Sequence, residues 1–154
     1  MRHVRSNLWR AAVIAAAALV APACGAKAPI LTVDGLGIGD MGISGVALDV
    51  RFRVQNPNPE PVSVERMEYE LFVNGNRLGR GYDTTGVPLA GFGEGKITSR
   101  LNVNFLSLPG AVRDVLQNDR VKARVKGRFY TSGHYGSKRL GFDSDAEVEL
   151  HGRR

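Results

Sequence analysis

The chain has 154 residues, of which 43% are hydrophobic and 23% charged, so a disordered or fibrous protein is excluded and one domain with its own core is expected. The formal net charge is +6, but three arginines and no acidic residue lie in the first 23 residues, which leaves 18 basic and 15 acidic residues, a net charge of +3, for the remainder. This small surplus removes most of the support for binding to nucleic acid.

Residues 1–23 have the features of a secretory signal peptide. The basic start MRHVRSNLWR precedes the apolar run AAVIAAAALV, and the small residues Ala21-Pro22-Ala23 offer a cleavage site. The apolar run is shorter than the ~20 residues of a membrane-spanning helix. We therefore predict an exported protein with no nucleic-acid partner.

Cys24 is the only cysteine and directly follows this cleavage site. The sequence VAPAC is similar to the lipobox of bacterial lipoproteins, in which the cysteine is diacylated and becomes the new N-terminus. A single cysteine at this position favours lipidation over a free thiol left by an ordinary signal peptidase. We predict a lipid-anchored protein on the periplasmic side of the cell envelope, with residues 24–29 as lipidated N-terminus and tether. A soluble periplasmic or secreted protein is the alternative.

The dominant hydrophobic period after the tether is two, which is typical of half-buried strands. ILTV at residues 30–33 is predicted as a first strand, and Asn74-Gly75 as a short hairpin turn. The stretch TTGVPLAGFGEG is predicted as a glycine-rich connection, and one short helix is predicted near residues 108–118. The pattern as a whole indicates an all-β, antiparallel β-sandwich of about seven strands. The alternating runs cover residues 46–54, 67–73, 97–105, 121–129 and 140–150.

The first long strand is interrupted by Asn56-Pro57-Asn58-Pro59, with a further proline at position 61. Proline has no N–H for a sheet ladder and keeps the residue before it extended. Asparagine side chains hydrogen-bond to nearby backbone. We interpret this motif as a shape element that leaves the sheet, after which Val62 and Val64 begin a strand elsewhere, with the other sheet as a candidate place.

The stretch VRFRVQNPNPEPVSVERMEYELFVNGNRLGRG resembles the late embryogenesis abundant type 2 family, whose module is also called the water-stress and hypersensitive-response (WHy) domain. ITSRLNVNF, the short helix and VKARVKGRF follow in the matching order, so the resemblance covers about residues 30–150. It implies a fibronectin-III/immunoglobulin-like sandwich with one helix, here a domain of residues 30–151. It also implies a non-enzymatic role in desiccation or other stress.

Gly37, Gly39 and Gly42 match the spacing G-x-G-x-x-G of dinucleotide-binding loops. Such a loop needs a helix after it, whereas GVALDVRFRV has a period of two. The glycines are therefore predicted to form a flexible connection between the first two strands.

A basic stripe of Lys122, Arg124, Lys126 and Arg128 has the period of a strand. It is a possible contact for an anionic surface such as lipid head groups or an acidic polymer. The alternative is structural, because Asp143, Asp145, Glu147 and Glu149 form an acidic stripe with the same period one hairpin later. Facing stripes would form cross-strand pairs, and this interpretation is favoured.

The histidines are isolated, and no serine lies in a nucleophile-elbow sequence. No metal, cofactor, catalytic residue or small-molecule substrate is predicted, and the aromatic residues are assigned mostly to the core or to hairpins. The leading hypothesis is a non-enzymatic stress-protection domain that acts on client proteins or membranes. An envelope adaptor that recognises a protein or an anionic surface is the second hypothesis, and an unrecognised hydrolase is the third.

Overall fold

A computed structural model describes residues 25–104, 110 and 117–151. Within these residues the chain forms eight β-strands joined by turns and short loops. The strands are β1 Ile30–Met41, β2 Gly45–Gln55, β3 Val62–Val73, β4 Asn76–Asp83, β5 Val87–Leu89, β6 Glu94–Asn104, β7 Arg120–Gly133 and β8 Lys138–His151.

The strands form two sheets that enclose one core. The first sheet contains β1, β2 and β6 with β2 in the middle, and the second contains β4, β3, β7 and β8 in that order. Neighbours within each sheet are antiparallel, so the predicted antiparallel β-sandwich is confirmed. A short parallel pairing, with Leu36 of β1 opposite Leu150 of β8, joins the two sheets and was not predicted.

One strand more than the predicted seven is present in the described part of the chain. Val87–Leu89, inside the predicted glycine-rich connection, forms β5 and pairs with Val62–Val64 at the edge of β3 that also carries β4. Three residues are too few to show a period, but Leu89 is fully buried. Burial of this side chain holds the segment against the sandwich.

The alternation predicted for the strands corresponds to burial. Every second residue of β2 from Val46 to Val54 lies in the core. The Phe52 ring meets the Tyr69 ring edge-on at 5.1 Å and the Phe142 ring at 6.3 Å, which ties the two sheets together. Full burial of a side chain of this class contributes about 1.5–3 kcal/mol. A one-residue slip would expose the whole set, so the core determines the register.

The predicted flexible connection at Gly37 and Gly39 is wrong. These glycines lie inside β1, which runs to Met41 with irregularities in its pairing after Val33 and after Ile38. Leu36 is fully buried, and its packing keeps the segment extended although the glycines supply no outward side chains. β2 begins at Gly45, so a strand stands where a dinucleotide-binding loop needs a helix.

The predicted helix near residues 108–118 lies almost entirely outside the described residues. Gly110 and Gln117, which are described, are helical. The predicted signal peptide and Cys24 also lie outside the described part.

Candidate functional site

The Asn-Pro-Asn-Pro motif forms the crossing between the two sheets. β2 ends at Gln55 in the first sheet, and β3 begins at Val62 in the second. The predicted restart in the other sheet is therefore confirmed. The intervening residues 56–61 lie at one end of the sandwich, which we call the motif end, together with the start of β1, the loop between β5 and β6, and the turn between β7 and β8.

Asn56 is buried and all of its side-chain polar atoms are used. Its Nδ2 donates to the carbonyl oxygens of Glu60 at 2.8 Å and Ala90 at 3.0 Å. Its Oδ1 accepts hydrogen bonds from the backbone N and the Nδ2 of Asn58, both at 3.1 Å. The Asn56 backbone N also donates to the Gly93 carbonyl at 2.9 Å. One side chain thus joins the motif to the β5–β6 loop.

Asn58 joins the motif to the tether. The Lys27 backbone N donates to Asn58 Oδ1 at 2.8 Å, and Asn58 Nδ2 donates to the Lys27 carbonyl at 2.8 Å. This reciprocal pair holds residue 27 at the motif end. The predicted bonds to nearby backbone are present for Asn56, which bonds to the backbone of Glu60 and Asn58. The bonds to Ala90 and Lys27, which lie 34 and 31 residues away, were not predicted.

Phe92 is presented at the tip of the β5–β6 loop. Its backbone N donates to the Asn58 carbonyl at 2.8 Å, and its φ of +54° lies in the left-handed region that non-glycine residues seldom adopt. The side chain is 73% exposed. At Gly91 an added Cβ would lie 1.8 Å from the Pro59 carbonyl oxygen, so only glycine permits the loop to approach the motif this closely.

The exposure of Phe92 was not predicted, because the aromatic residues were assigned mostly to the core or to hairpins. A usable signal was present, because Gly91 and Gly93 flank it and such a triplet is typical of a loop tip.

The basic and acidic stripes face each other on the outer surface of the second sheet. β7 and β8 are adjacent and antiparallel, as the structural interpretation of the stripes requires. Lys122 lies opposite Glu147, Arg124 opposite Asp145, and Lys126 opposite Asp143. Arg128 lies opposite Gly141, and its guanidinium reaches Glu68 on β3 at 3.8 Å. Contact of this stripe with an anionic surface stays a prediction.

The ion pairs on this surface follow the reach of the side chains rather than the register alone. Arg124 donates through Nε at 2.8 Å and Nη2 at 2.7 Å to Asp143, which lies diagonally across, instead of to its direct neighbour Asp145. These hydrogen bonds lower the pKa of Asp143 and raise that of Arg124. Lys126 reaches the same carboxylate at 3.7 Å.

The alternation of charge continues across β3 and β4. Glu70 on β3 accepts hydrogen bonds from Arg77 at 2.8 Å and Arg80 at 3.3 Å on β4. These bonds lower the pKa of Glu70. Across the outer surface of the second sheet, β8 is therefore acidic, β7 basic, β3 acidic and β4 basic. Neither sign of charge forms a broad patch there.

Two hydroxyl groups lie inside the core. Tyr69 Oη and Ser99 Oγ are buried, and neither makes a hydrogen bond of good geometry within the described residues. Burial raises the pKa of Tyr69 to about 12, with the nearby charges of Asp83 and Asp49 acting in the same direction. An added Cβ at Gly81 would lie 2.1 Å from the Tyr69 ring, so this tyrosine packs directly on the backbone of β4.

A small pocket of about 90 Å³ lies between the tether and the β7–β8 turn, beside Pro29, Pro61 and Tyr135. Pockets for drug-sized ligands are about 300–1,000 Å³, so this one is too small for such a molecule. His134, one of the isolated histidines, is exposed in the turn.

Among the described residues, no three histidine, cysteine, aspartate or glutamate side chains are grouped so that they could hold a metal ion. Within the same residues, no helix has both the length and the apolar character needed to cross a bilayer.

Residues 51–146 match the protein family described as late embryogenesis abundant protein. This match covers more than half of the chain and includes the motif, the β5–β6 loop and most of the charged surface. A search of curated proteins finds no match.

Solved structures with the same fold share little sequence with this chain. The solution structure of an Arabidopsis thaliana protein has a TM-score of 0.59 at 16% identity, over 84% of this chain and 87% of that one. A solution structure described as a late embryogenesis abundant protein has a TM-score of 0.52 at 16% identity, over 81% and 72% of the two chains. At these identities the structural similarity establishes the fold alone.

Proposed function

Because the chain belongs to the late embryogenesis abundant type 2 family, we propose that it is a non-enzymatic protection domain of the WHy form, which acts in the cell envelope during water stress. The observation that carries the proposal is the family match over residues 51–146, which includes the Asn-Pro-Asn-Pro motif. The motif is saturated with internal hydrogen bonds, which supports a role in building the domain rather than in binding a ligand.

The proposed mechanism is physical separation of partly unfolded clients or of membranes as water is lost. The strand pairing and the tied loops make the domain a rigid body whose polar surface does not depend on a ligand. Exposed ion pairs alternate in sign over the second sheet, for example Arg124 with Asp143 and Arg77 with Glu70. Such a surface stays hydrated and offers clients neither an apolar patch nor a single-sign field.

Protection of a drying-sensitive enzyme tests the proposal. The processed chain, residues 24–154, is dried with the enzyme and compared with equal masses of albumin and of an unrelated β-sandwich. Recovered activity well above both controls is expected. Recovery equal to the controls would contradict direct protection and leave the family as a description of the fold.

The surface mechanism has its own matched variant in the same assay. The variant with Asp143→Lys, Asp145→Lys, Glu147→Lys and Glu149→Lys converts the acidic stripe of β8 to a basic one beside β7 and replaces only exposed side chains. Protection is expected to fall if alternating charge matters, because the surface then becomes a single-sign field. Unchanged protection would assign the effect to bulk exclusion alone.

We further propose export and a lipid anchor on Cys24. The support is the order of basic start, apolar run and small residues before this cysteine. Intact mass of the protein extracted from membranes is expected to show acyl chains on Cys24, and Cys24→Ala is expected to leave the membrane fraction. An unmodified thiol, or a Cys24→Ala chain that stays membrane-bound, would contradict the anchor.

An envelope adaptor is the second candidate function. It is favoured by the edge of β4, where residues Asn76–Asp83 pair only with β3 among the described strands. Such an edge can accept a strand from another protein. A partner that copurifies in a fixed ratio and is lost when Arg80 is replaced by proline, which cannot donate to an added strand, would support this function over protection.

A further inference from the structure

Three exposed apolar side chains lie at the motif end of the sandwich. Phe92 is 73% exposed, Ile30 51% and Tyr135 46%. We call these three residues the motif-end patch. They come from three different segments, the β5–β6 loop, the start of β1 and the β7–β8 turn.

The patch is connected to the motif loop at each of its members. The Phe92 backbone N donates to the Asn58 carbonyl at 2.8 Å, and Tyr135 Oη donates to Glu60 Oε2 at 2.9 Å. Ile30 pairs with Gln55, the residue directly before the motif. The residues that form the motif loop thus also arrange the exposed apolar groups.

The backbone of Phe92 shows that this exposure is imposed by the fold. A bulky residue with φ of +54° is an outlier that persists only where its surroundings require it. Here the requirement is the bond to Asn58 together with the Gly93–Ala90 bond of 2.9 Å that closes the turn. The loop could turn with glycine at this place, yet an aromatic ring is held outward.

The position of the tether indicates what covers the patch. Lys27 is fixed to Asn58, and Cys24 precedes it by three residues, so their Cα atoms are at most ~11 Å apart in an extended chain. A bilayer that holds a lipid on Cys24 therefore lies within reach of Phe92. The short segment between Cys24 and Lys27, and the bonding of Lys27 to the motif, both place a lipid on Cys24 near the motif end.

The charges around the patch indicate the kind of lipid contact. Lys27 and Lys138 are exposed there, and the Lys138 Nζ lies 6.0 Å from the centre of the Tyr135 ring. Glu60 and Glu94 oppose them at the same end. With mixed charge, attraction to anionic lipids is weak, whereas aromatic rings favour the boundary between head groups and acyl chains of any bilayer.

We propose that the motif end rests on the bilayer, with Phe92 and Tyr135 in its interfacial layer, so that the domain stands on the membrane in one orientation. The inference rests on the proposed anchor at Cys24. The polar stripes of the second sheet then stand upright from the membrane, along strands that reach ~33 Å or more away from it.

A single-tryptophan series tests the contact. Trp9 is the only tryptophan of the chain and lies in the predicted signal peptide, so the processed chain has none, and Trp9→Phe also removes it from any unprocessed chain. Phe92→Trp is the reporter in this background. Ile43→Trp is the matched control, because Ile43 is fully exposed in the turn between β1 and β2 at the opposite end. Both chains are reconstituted into phosphatidylcholine vesicles with brominated or ordinary acyl chains.

The expected result is loss of most of the Phe92→Trp emission in brominated vesicles and an unchanged Ile43→Trp emission. Equal emission of Phe92→Trp in both vesicles would overturn the inference, as would quenching confined to Ile43→Trp. A blue shift of Phe92→Trp that follows protein concentration without quenching would assign the patch to a second copy and also overturn it. Tyr135→Trp repeats the test should Phe92→Trp disturb the fold, which circular dichroism reports.

Failure of the anchor is distinguished by intact mass of the same samples. Acylated Cys24 with an unquenched Phe92→Trp would leave the anchor in place and remove only the contact. An unacylated chain whose Phe92→Trp is quenched would support the contact and contradict the anchor.

Discussion

Asn56 receives two hydrogen bonds from Asn58 on a single oxygen, one from the backbone N and one from the side-chain Nδ2. Asn56 Nδ2 meanwhile donates to backbone carbonyls of the β2–β3 and β5–β6 connections. Asn58 bonds to the backbone of the tether at Lys27. Pro57 and Pro59 keep the backbone of the motif extended and, because they have no N–H, need no hydrogen-bond acceptor. The motif is therefore a junction of three chain segments, and its stability is open to direct measurement.

Asn56→Ala is expected to lower the free energy of unfolding by about 2–4 kcal/mol, because several buried groups lose their partners at about 1–3 kcal/mol each. Urea denaturation measures the change. Asn102→Ala on the exposed face of β6 is the control and is expected to change stability by less than about 0.5 kcal/mol. Equal effects of the two variants would show that the junction contributes nothing special.

Asn58→Ala is expected to release the tether while the sandwich stays folded. The Lys27 amide, bonded to Asn58 Oδ1 in the native protein, should exchange with solvent much faster in the variant. Hydrogen exchange followed by mass spectrometry or NMR measures this, with amides of β2 as internal reference. Unchanged protection at residue 27 would contradict the assigned role of the pair.

Tyr69 makes stability depend on alkaline pH. Its pKa is about 12 in the folded chain against an ordinary value of 10.0, so between these values the folded state binds more protons than the unfolded state. Stability therefore falls as pH rises through this window, by about 1 kcal/mol between pH 9 and pH 11 from this group.

Tyr69→Phe should remove this component of the slope, because the variant has no phenol to ionise. Urea midpoints of both chains at pH 9 and pH 11 supply the comparison. At pH 7 the variant should differ from the native chain by less than about 1.5 kcal/mol, since the lost hydroxyl has no well-formed hydrogen bond. Parallel pH profiles for the two chains would contradict the assignment.

Arg124→Gln is expected to raise the pKa of Asp143 toward its ordinary value, because the two guanidinium hydrogen bonds are the largest cause of its lowering. The native carboxyl favours folding above its unfolded pKa, and that contribution disappears as pH falls through the folded pKa. Carboxyl titration by NMR measures the pKa directly. Lys126→Gln should raise it less, since Nζ lies 3.7 Å away; a larger effect there would overturn the diagonal pairing.

Much of the fold could be predicted from the alternation of apolar and polar residues along the sequence. Residues Val46–Val54 have one apolar face and therefore one possible register, and the structure buries that face. The facing of the β7 and β8 stripes was predictable for the same reason, since matching periods on a hairpin place opposite charges together. The diagonal reach of Arg124 to Asp143 was not, because it depends on side-chain length and twist.

Features without an alternating pattern were mispredicted or missed. The glycines of β1 have no side chains to display a period, and their extended form comes from pairing with β2 and burial of Leu36. The motif end is assembled from segments more than 30 residues apart, such as Asn58 with Lys27 and Asn56 with Ala90. A local sequence pattern indicates which side chains can bond to backbone, but it does not indicate which distant segment the fold brings next to them.

The parallel contact of Leu36 with Leu150 has a consequence for the order in which the molecule is made. It joins β1 to β8, the last described strand, so this pairing between the two sheets can form only after nearly the whole chain has been synthesised. Closing so long a loop is slow, because the conformational entropy of the loop is lost before the stabilising contact forms. Under the proposed export, the chain would cross the membrane before this pairing could form, so the two sheets would be joined only after transport.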